Sequence, residues 1–331
     1  MVILTGIDGL EIRELKFIKV DVDLSDTKDF EIQIPASEWS SDLEYKGRIF
    51  IPGTEYGGRI GGKGASTQKD VRTIRGHTWR GMLDKKIIKP PAGEDYKIVS
   101  GELNAILKQL IQEAGMTALF TVSEENTGVL ITSYQFDRYI TLLSGIQKML
   151  KTKGYRIDIQ YVQGERGLPG YVQIGAVPVI DYSERIELSQ DSQLNFKFDE
   201  NKNGVNHLIC LGKGDLKERL VVDLYVQKDG SVGTTQYFKG LDEVTETYEN
   251  NSIDDVTEMT EKGTEEIIKR ASKQTFEMDV ERLGIEVEIG DIIGGRDYIT
   301  GMHLAKPVVN KIYKQEQSVI SKEYKLEGDE Q

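Results

Sequence analysis

The strongest constraint on the fold is a seven-residue pattern, G-x-x-x-G-G-R, that occurs twice, once near each end of the chain. Glycine is favoured where the backbone has positive φ or where another segment approaches closely, so the two copies predict equivalent tight turns. The positions expected to form these structural turn motifs are Gly53, Gly57, Gly58 and Arg59 in the first copy and Gly290, Asp291, Gly294, Gly295 and Arg296 in the second.

The segments around the two copies also match. Each copy follows a stretch of alternating apolar and polar residues, at 48–51 and at 285–289. Each is followed by a similar strand-like segment, at 74–77 and at 299–303, and the first copy carries an extra loop of about ten residues before it. This correspondence predicts an internal duplication, in which two similar β-barrels flank the residues between them.

The hydrophobic period supports strands at both ends of the chain. Alternation with period 2 predicts β-strands at 15–24, 30–35, 48–52 and 71–79. The glycine-rich run at 57–64 interrupts this pattern and is predicted to be a loop. Further strands are predicted at 194–198, 207–211, 219–226, 285–289, 298–304, 307–313 and 319–326.

The middle of the chain has a different period. After Pro90-Pro91 the apolar residues recur every three or four positions, which predicts one helix from Ser100 as N-cap to Gly115 and another from about Asp137 to Gly154. The intervening and following strands are predicted as two pairs, 119–122 with 129–132 and 155–161 with 171–180.

An acidic block lies between Leu241 and Glu266, a segment that contains ten acidic residues and one lysine. Its second half retains helical spacing, and Ser252 with Asp255 forms a plausible capping box. We therefore expect an acidic amphipathic helix near 252–273 rather than a disordered tail.

These patterns together predict a mainly β fold with an α+β insert. Residues 1–88 and 191–331 would form the two related β-barrel domains, and residues 89–190 the small α+β domain between them. The second β-barrel domain would contain the acidic amphipathic helix.

Composition excludes several classes of function. The 331 residues carry a formal charge of -13, which argues against tight wrapping of nucleic acid. A single cysteine and three histidines exclude a disulfide framework and leave little material for a metal centre. The sequence contains no apolar run of about 18 residues, so no membrane span is predicted, and the N-terminus has no secretory signal pattern. We expect no catalytic, cofactor-binding or metal-binding residues.

Two near-matches to ligand-binding motifs fail on chemistry. The run at 57–64 resembles a phosphate-binding loop but has Gly64 where Ser or Thr would hold magnesium, and strand follows it instead of helix. The acids at 21–26 lack the glycine and glutamate that a calcium loop needs. Cys210 lies in an apolar strand and is predicted to be buried and inert. A pair of carboxylates for glycoside cleavage stays open, because spatial pairing is invisible in the sequence.

Four segments carry a resemblance to a known family. The runs at 73–83 and 87–96, the closing motif at 290–297 with 299–301, and the strand and glycine turn at 206–214 resemble siphovirus tail proteins and the related hub proteins of contractile prophage tails. The likeness extends over nearly the whole chain. It implies the phage tail hub architecture, in which two related barrels per chain form a ring of six in a trimer.

The resemblance also implies a function. Such a trimer would be a baseplate hub in the virion tail, joining the six-fold tail tube above to a three-fold central spike below. It would contact other baseplate proteins and let DNA pass through its pore in a phage. Because the sequence ends at Gln331, just after the last predicted strands, we expect any wall-degrading activity to come from another chain.

Two alternatives remain at this stage. One is a cell-wall hydrolase that uses an unrecognised pair of carboxylates. The other is a glycan-binding protein at the tail tip, in which an aromatic residue such as Trp79 would contact the sugar.

Overall fold

The protein is described by a computed structural model that covers residues 1–66, 70–165, 167–183, 187–188, 195–279, 286–296, 301, 303–316 and 319–327. Its contacts group the chain into two compact units. The first unit comprises Met1–Asn195 together with Met278–Glu327, and the second comprises Phe196–Glu277. The predicted domain boundaries after residues 88 and 190 stay predictions.

The fold is mainly β, with 41% strand and 18% helix in several sheets, which confirms the predicted fold class. The strands up to the middle of the chain are β1 (Val2–Thr5), β2 (Glu11–Leu15), β3 (Lys19–Asp23), β4 (Asp29–Pro35), β5 (Arg48–Phe50), β6 (Gly57–Ser66), β7 (Val71–Thr78), β8 (Ile98–Glu102), β9 (Phe120–Val122), β10 (Leu130–Gln135), β11 (Tyr155–Val162) and β12 (Tyr171–Pro178). The later strands are β13 (Glu187–Leu188), β14 (Asn195–Asn201), β15 (His207–Leu211), β16 (Val221–Val226), β17 (Val232–Gly233), β18 (Thr245–Glu249), β19 (Lys273–Asp279), β20 (Ile292–Arg296), β21 (His303–Glu316) and β22 (Val319–Leu326). The helices are α1 (Trp79–Asp84), α2 (Leu103–Glu113), α3 (Leu142–Lys151) and α4 (Val256–Arg270), with short 3-10 turns at Ala36–Glu38, Leu216–Glu218 and Gly240–Asp242.

The main sheet of the first unit joins both ends of the chain. Its order is β22-β21-β3-β4-β7-β6-β5-β1-β2. The C-terminal hairpin enters it through β21, which pairs antiparallel with β3 so that Tyr313 lies opposite Val22. Strand β3 shows the alternation of apolar and polar residues that a strand with one buried face requires, because Val20 and Val22 are buried while Lys19 and Asp21 are exposed.

The glycine-rich run at 57–64 was predicted to be a loop, and this prediction is wrong. It lies within β6, a ten-residue strand that pairs with both β5 and β7. Alternation is lost at the start of the run because Gly57 and Gly58 stand where neighbouring backbone and aromatic rings leave no room for a side chain. The predicted strand at 71–79 ends one residue early, since Trp79 begins the unforeseen helix α1.

The α+β part of the first unit contains α2 and α3, the antiparallel pair β11–β12, and β9, which runs parallel to β12. The predicted pairing of 119–122 with 129–132 is wrong, because β10 pairs with β8 instead. One apolar core covers both helices and these strands and extends to Phe50, Trp79 and Leu83. The aromatic ring of Tyr161 stacks between Phe50 and Trp79, at centroid distances of 4.1 and 5.3 Å.

Both helices begin later than predicted. Ser100 lies in β8, and the N-cap of α2 is Glu102, whose carboxylate accepts a hydrogen bond from the amide of Ala105. The second helix begins at Leu142 with Thr141 as its N-cap. In each case the side chain that reaches an unpaired amide of the first turn sets the boundary, and apolar spacing alone does not reveal it.

The second unit is a small sheet of order β17-β16-β15-β18 with α4 packed on β15 and β16. Its core contains Cys210, Met259 and Ile267, each fully buried, which confirms the prediction that Cys210 is buried. The acidic helix is present at Val256–Arg270, and its N-cap is Asp255 rather than a box begun by Ser252. Among the helices that the structure describes, none is long and apolar enough to cross a membrane.

Candidate functional site

The first copy of the repeated pattern is a tight turn followed by a strand. Gly53 has a φ of +70°, a conformation that glycine adopts without strain. The turn is closed by Thr54, whose hydroxyl donates to the carbonyl of Ile51 over 2.8 Å. Gly57 and Gly58 then open β6, where they pair with β5.

The paired glycines are required by close approach. A Cβ on Gly57 would lie 2.6 Å from the carbonyl oxygen of Ile49 and 2.9 Å from the ring of Trp79. A Cβ on Gly58 would collide with the carbonyl oxygen of His77 and lie 2.8 Å from the ring of Phe30. Strand β6 can therefore pack against these aromatic side chains only because the motif has no side chain at Gly57 and Gly58.

The second copy has the same local plan. Gly290 has a φ of +102°, and β20 follows it. β20 pairs antiparallel with the next strand, β21, as β6 pairs with β7. The register also corresponds, because Arg59 lies opposite His77 and Arg296 lies opposite His303. The predicted counterpart segment at 299–303 lies largely outside the described residues.

The strand before the second copy differs from the prediction. Residues 286–289 are irregular rather than a strand, and residue 285 lies outside the described residues. The reason is the side chain of Asp291, whose Oδ2 accepts the amide of Glu288 over 3.1 Å and fixes a turn. The open edge of β20 is instead paired, in parallel, by β13.

Asp291 is the centre of the second motif. Its side chain is 1% exposed, and its Oδ1 accepts hydrogen bonds from Arg156 Nε at 2.8 Å and from the amide of Ile180 at 3.0 Å. Arg156 also contacts Asp158 and has a raised pKa: burial lowers it, and the charges of Asp291 and Asp158 more than offset this. The second motif is thus fixed to the α+β part of the same unit.

Glu55 is the buried carboxylate of the first motif, and it lies one position further along the pattern than Asp291 does in the second. Its carboxylate forms a two-point pair with the guanidinium of Arg80 on α1, with one of the contacts at 3.0 Å. Both side chains are at most 5% exposed. Burial raises the pKa of Glu55 above its ordinary value, while Arg80 opposes this shift. The pair joins the turn to α1 through a charge-assisted, two-point contact.

The two motifs meet in the interior of the first unit. Lys311, with a side chain 3% exposed, donates to Glu288 Oε2 over 2.7 Å, and both charges act on Glu55. The ring of Tyr56 lies 4.7 Å from that of Tyr313 and has the Lys311 ammonium 5.5 Å from its centroid.

The charged residues that hold the two turns were not predicted from the sequence. Glu55 lies inside the motif, and a charged residue amid glycines and apolar strands was the one local signal of a buried pair. Arg80, Arg156 and Lys311 gave no such signal, because each is brought to its partner by the tertiary fold.

The carboxylates of Glu55 and Asp291 are occupied by guanidinium groups and amides. Burial raises the pKa of the Cys210 thiol to about 11, which makes it a poor nucleophile. Across the ranges that the structure describes, no group of three or more His, Cys, Asp or Glu side chains is arranged to hold a metal ion.

Comparison with known proteins gives fold relatives. The sequence matches no protein-family model and no curated protein. A 43 kDa tail protein of prophage MuSo2 from Shewanella oneidensis aligns with a TM-score of 0.55 and 11% identity over 98% of this chain and 97% of that one. A tail protein from Neisseria meningitidis gives 0.51 and 14% over 99% and 96%, and a prophage tail protein from Listeria monocytogenes gives 0.51 and 11% over 99% and 95%. The chain therefore has the fold of phage tail proteins, and the resemblance inferred from its sequence is confirmed at that level.

Proposed function

We propose that the protein is a structural hub of a phage or phage-like contractile tail. The observation that carries this proposal is the fold likeness to prophage tail proteins, which extends over 98–99% of this chain and at least 95% of each relative. A likeness over the full length of both chains is expected when the whole fold, rather than one attached module, is shared.

The duplicated motif supports a role as a symmetry adaptor. Each chain carries two similar hairpins, β6–β7 and β20–β21, with the same arginine–histidine cross-strand pair. Three chains would therefore present six similar hairpins around one axis. A homotrimer of this kind can meet a six-fold tail tube on one side and a three-fold central spike on the other.

The partners follow from this arrangement. The tail tube, or a protein that begins it, would bind above, the trimeric spike below, and other baseplate proteins around the ring. In a phage the pore would conduct DNA, and the net charge of -13 would disfavour its adhesion. The protein would be located in the virion tail.

Deletion and complementation test the role. We expect cells that make the tail without this chain to produce tubes that lack a spike, and a tagged copy to restore complete tails and to purify with them. Complete tails without this chain would contradict the proposal. The same purified protein should fail to clear cell-wall suspensions, and robust clearing would favour the hydrolase alternative.

A further inference from the structure

The first unit carries a large concave surface, which Arg59 of the first motif borders. Strands β3, β4, β6 and β7, with the end of α1 and residues 115–120, enclose a cavity of about 1500 Å³. Pockets for small molecules are usually about 300–1000 Å³, so this volume suits a segment of a macromolecule. We call this cavity the basic groove, because eight lysines and arginines line it against four carboxylates.

The net charge of the basic groove is opposite in sign to that of the whole chain, which has 42 basic and 55 acidic residues. Five of its cations are exposed and have no ion-pair partner within the described residues: Lys46, Arg59, Arg75, Lys85 and Lys86. An acidic occupant would supply ion-pair partners to these cations.

The second unit carries the matching charge. Asp254, Glu258, Glu261 and Glu265 follow one another at helical spacing, from the residue before the N-cap of α4 along its exposed face. We call this set the acidic stripe. Like charges at this spacing repel one another and destabilise a helix. Lys213 and Lys262 contact Asp254 and Glu265, while Glu258 and Glu261 have no ion-pair partner in the described part of the chain.

We infer that the basic groove of one copy receives the acidic stripe of a second copy of this chain. A convex helix suits a concave face, and an attractive contact of this kind would offset the repulsion between two copies that each carry a net charge of -13. The groove and the stripe are different surfaces, so the contact is head-to-tail and can close into a ring. The inference rests on the proposed function, since it names the contact that would assemble the trimer.

Charge reversal tests the contact. We expect native mass measurement to show wild-type oligomers that weaken as ionic strength rises. The variant Lys85→Glu/Lys86→Glu should associate about tenfold or more weakly, and adding Glu258→Lys/Glu261→Lys should restore association. The control Lys153→Glu/Lys228→Glu makes the same change of net charge at exposed sites away from the groove and should leave the mass unchanged.

The outcomes separate this inference from the proposed function. An unchanged oligomeric mass in Lys85→Glu/Lys86→Glu overturns the inference and leaves the hub role intact. A wild-type chain that stays monomeric overturns it as well, and the complementation test then decides the hub role. If the same variant keeps its mass but loses binding to a short DNA duplex, the groove binds nucleic acid and the inference is wrong.

Cross-linking distinguishes contact between chains from contact within one. Arg75→Cys and Glu261→Cys are made in separate chains, mixed and treated with a short bismaleimide. Because Cys210 is fully buried, it should not react. We expect a covalent dimer in the mixture and not in either variant alone. A doubly substituted chain that cross-links only to itself, even at high protein concentration, would overturn the inference.

Discussion

The two copies of the glycine motif share a backbone and differ in what holds them. In the first copy, Glu55 is held by Arg80, which lies on the helix that directly follows β7. In the second, Asp291 is held by Arg156, which lies on β11 in the α+β part of the first unit. The first copy is therefore fixed by a local neighbour and the second by a distant one.

This difference shows which part of a duplicated element is constrained. The turn glycines and the arginine–histidine register are alike in both hairpins, because they determine the path of the chain. The buried carboxylate has moved by one position within the motif, since any nearby guanidinium can satisfy it. Substitutions at corresponding places should therefore affect the two copies unequally.

The largest effect is expected at the more deeply buried pair. Glu55→Gln leaves the Arg80 guanidinium, 2% exposed, without its counter-charge and should lower the free energy of unfolding by about 3–5 kcal/mol. Denaturant unfolding measures the loss. The control Glu55→Met/Arg80→Met removes both charges and should recover most of it, and a double variant as unstable as Glu55→Gln would show that the unpaired charge is not the cause.

The next effect concerns the close approach of β6 to its neighbours. Gly58→Ala places a methyl group against the carbonyl oxygen of His77 and the ring of Phe30, and should cost about 3 kcal/mol of unfolding free energy. Gly64→Ala is the matched control in the same strand, because a Cβ there meets only Thr73 at an ordinary 3.7 Å. Equal melting temperatures for the two variants would contradict this account.

The second copy should tolerate loss of its charge better than the first. Asp291→Asn keeps an oxygen for an amide donor, and Arg156 retains Asp158 at 3.1 Å, so we expect a loss of about 2 kcal/mol. Thermal unfolding of this variant beside Glu55→Gln gives the comparison. If Asp291→Asn proved the more damaging, the distinction between local and distant anchoring would fail.

The turn glycines should also differ between the copies. Gly53→Ala adds only the strain of positive φ, about 1 kcal/mol, because a Cβ there meets nothing within 4 Å. Gly290→Ala adds the same strain and a contact of 2.9 Å with Arg156 Cβ, so it should be the less stable of the two. Unfolding curves that coincide would show that the Arg156 side chain can move away from the added methyl group without lowering the free energy of unfolding.

The smallest effect is a pH dependence near the second copy. A hydrogen bond from Lys322 lowers the pKa of Glu286 below its ordinary value of 4.5. A carboxyl group whose pKa is lower in the folded state than in the unfolded state stabilises the protein at pH values above its unfolded-state pKa. That contribution disappears as the pH falls through its folded-state pKa. The advantage of wild type over Glu286→Gln should be under about 1 kcal/mol at neutral pH and vanish in acid, as stability curves at both pH values would show. An advantage that persists in acid would contradict this assignment.

The sequence predicted many of the strands and the acidic helix, because each has a local pattern. It failed where tertiary contact decides the structure. The run at 57–64 looked like a loop, since the aromatic rings against which Gly57 and Gly58 pack lie elsewhere in the chain. The pairing of β21 with β3 and the meeting of Lys311 with Glu288 likewise depend on segments far apart in sequence.

The role proposed for this chain is that of the trimeric hub of a contractile tail. Electron cryomicroscopy of assembled tails, with the chain carrying a small fused label, tests it most directly. The account predicts three labels in one ring at the distal end, between the tube and the spike. Labels repeated along the tube, or none on the tail, would contradict it.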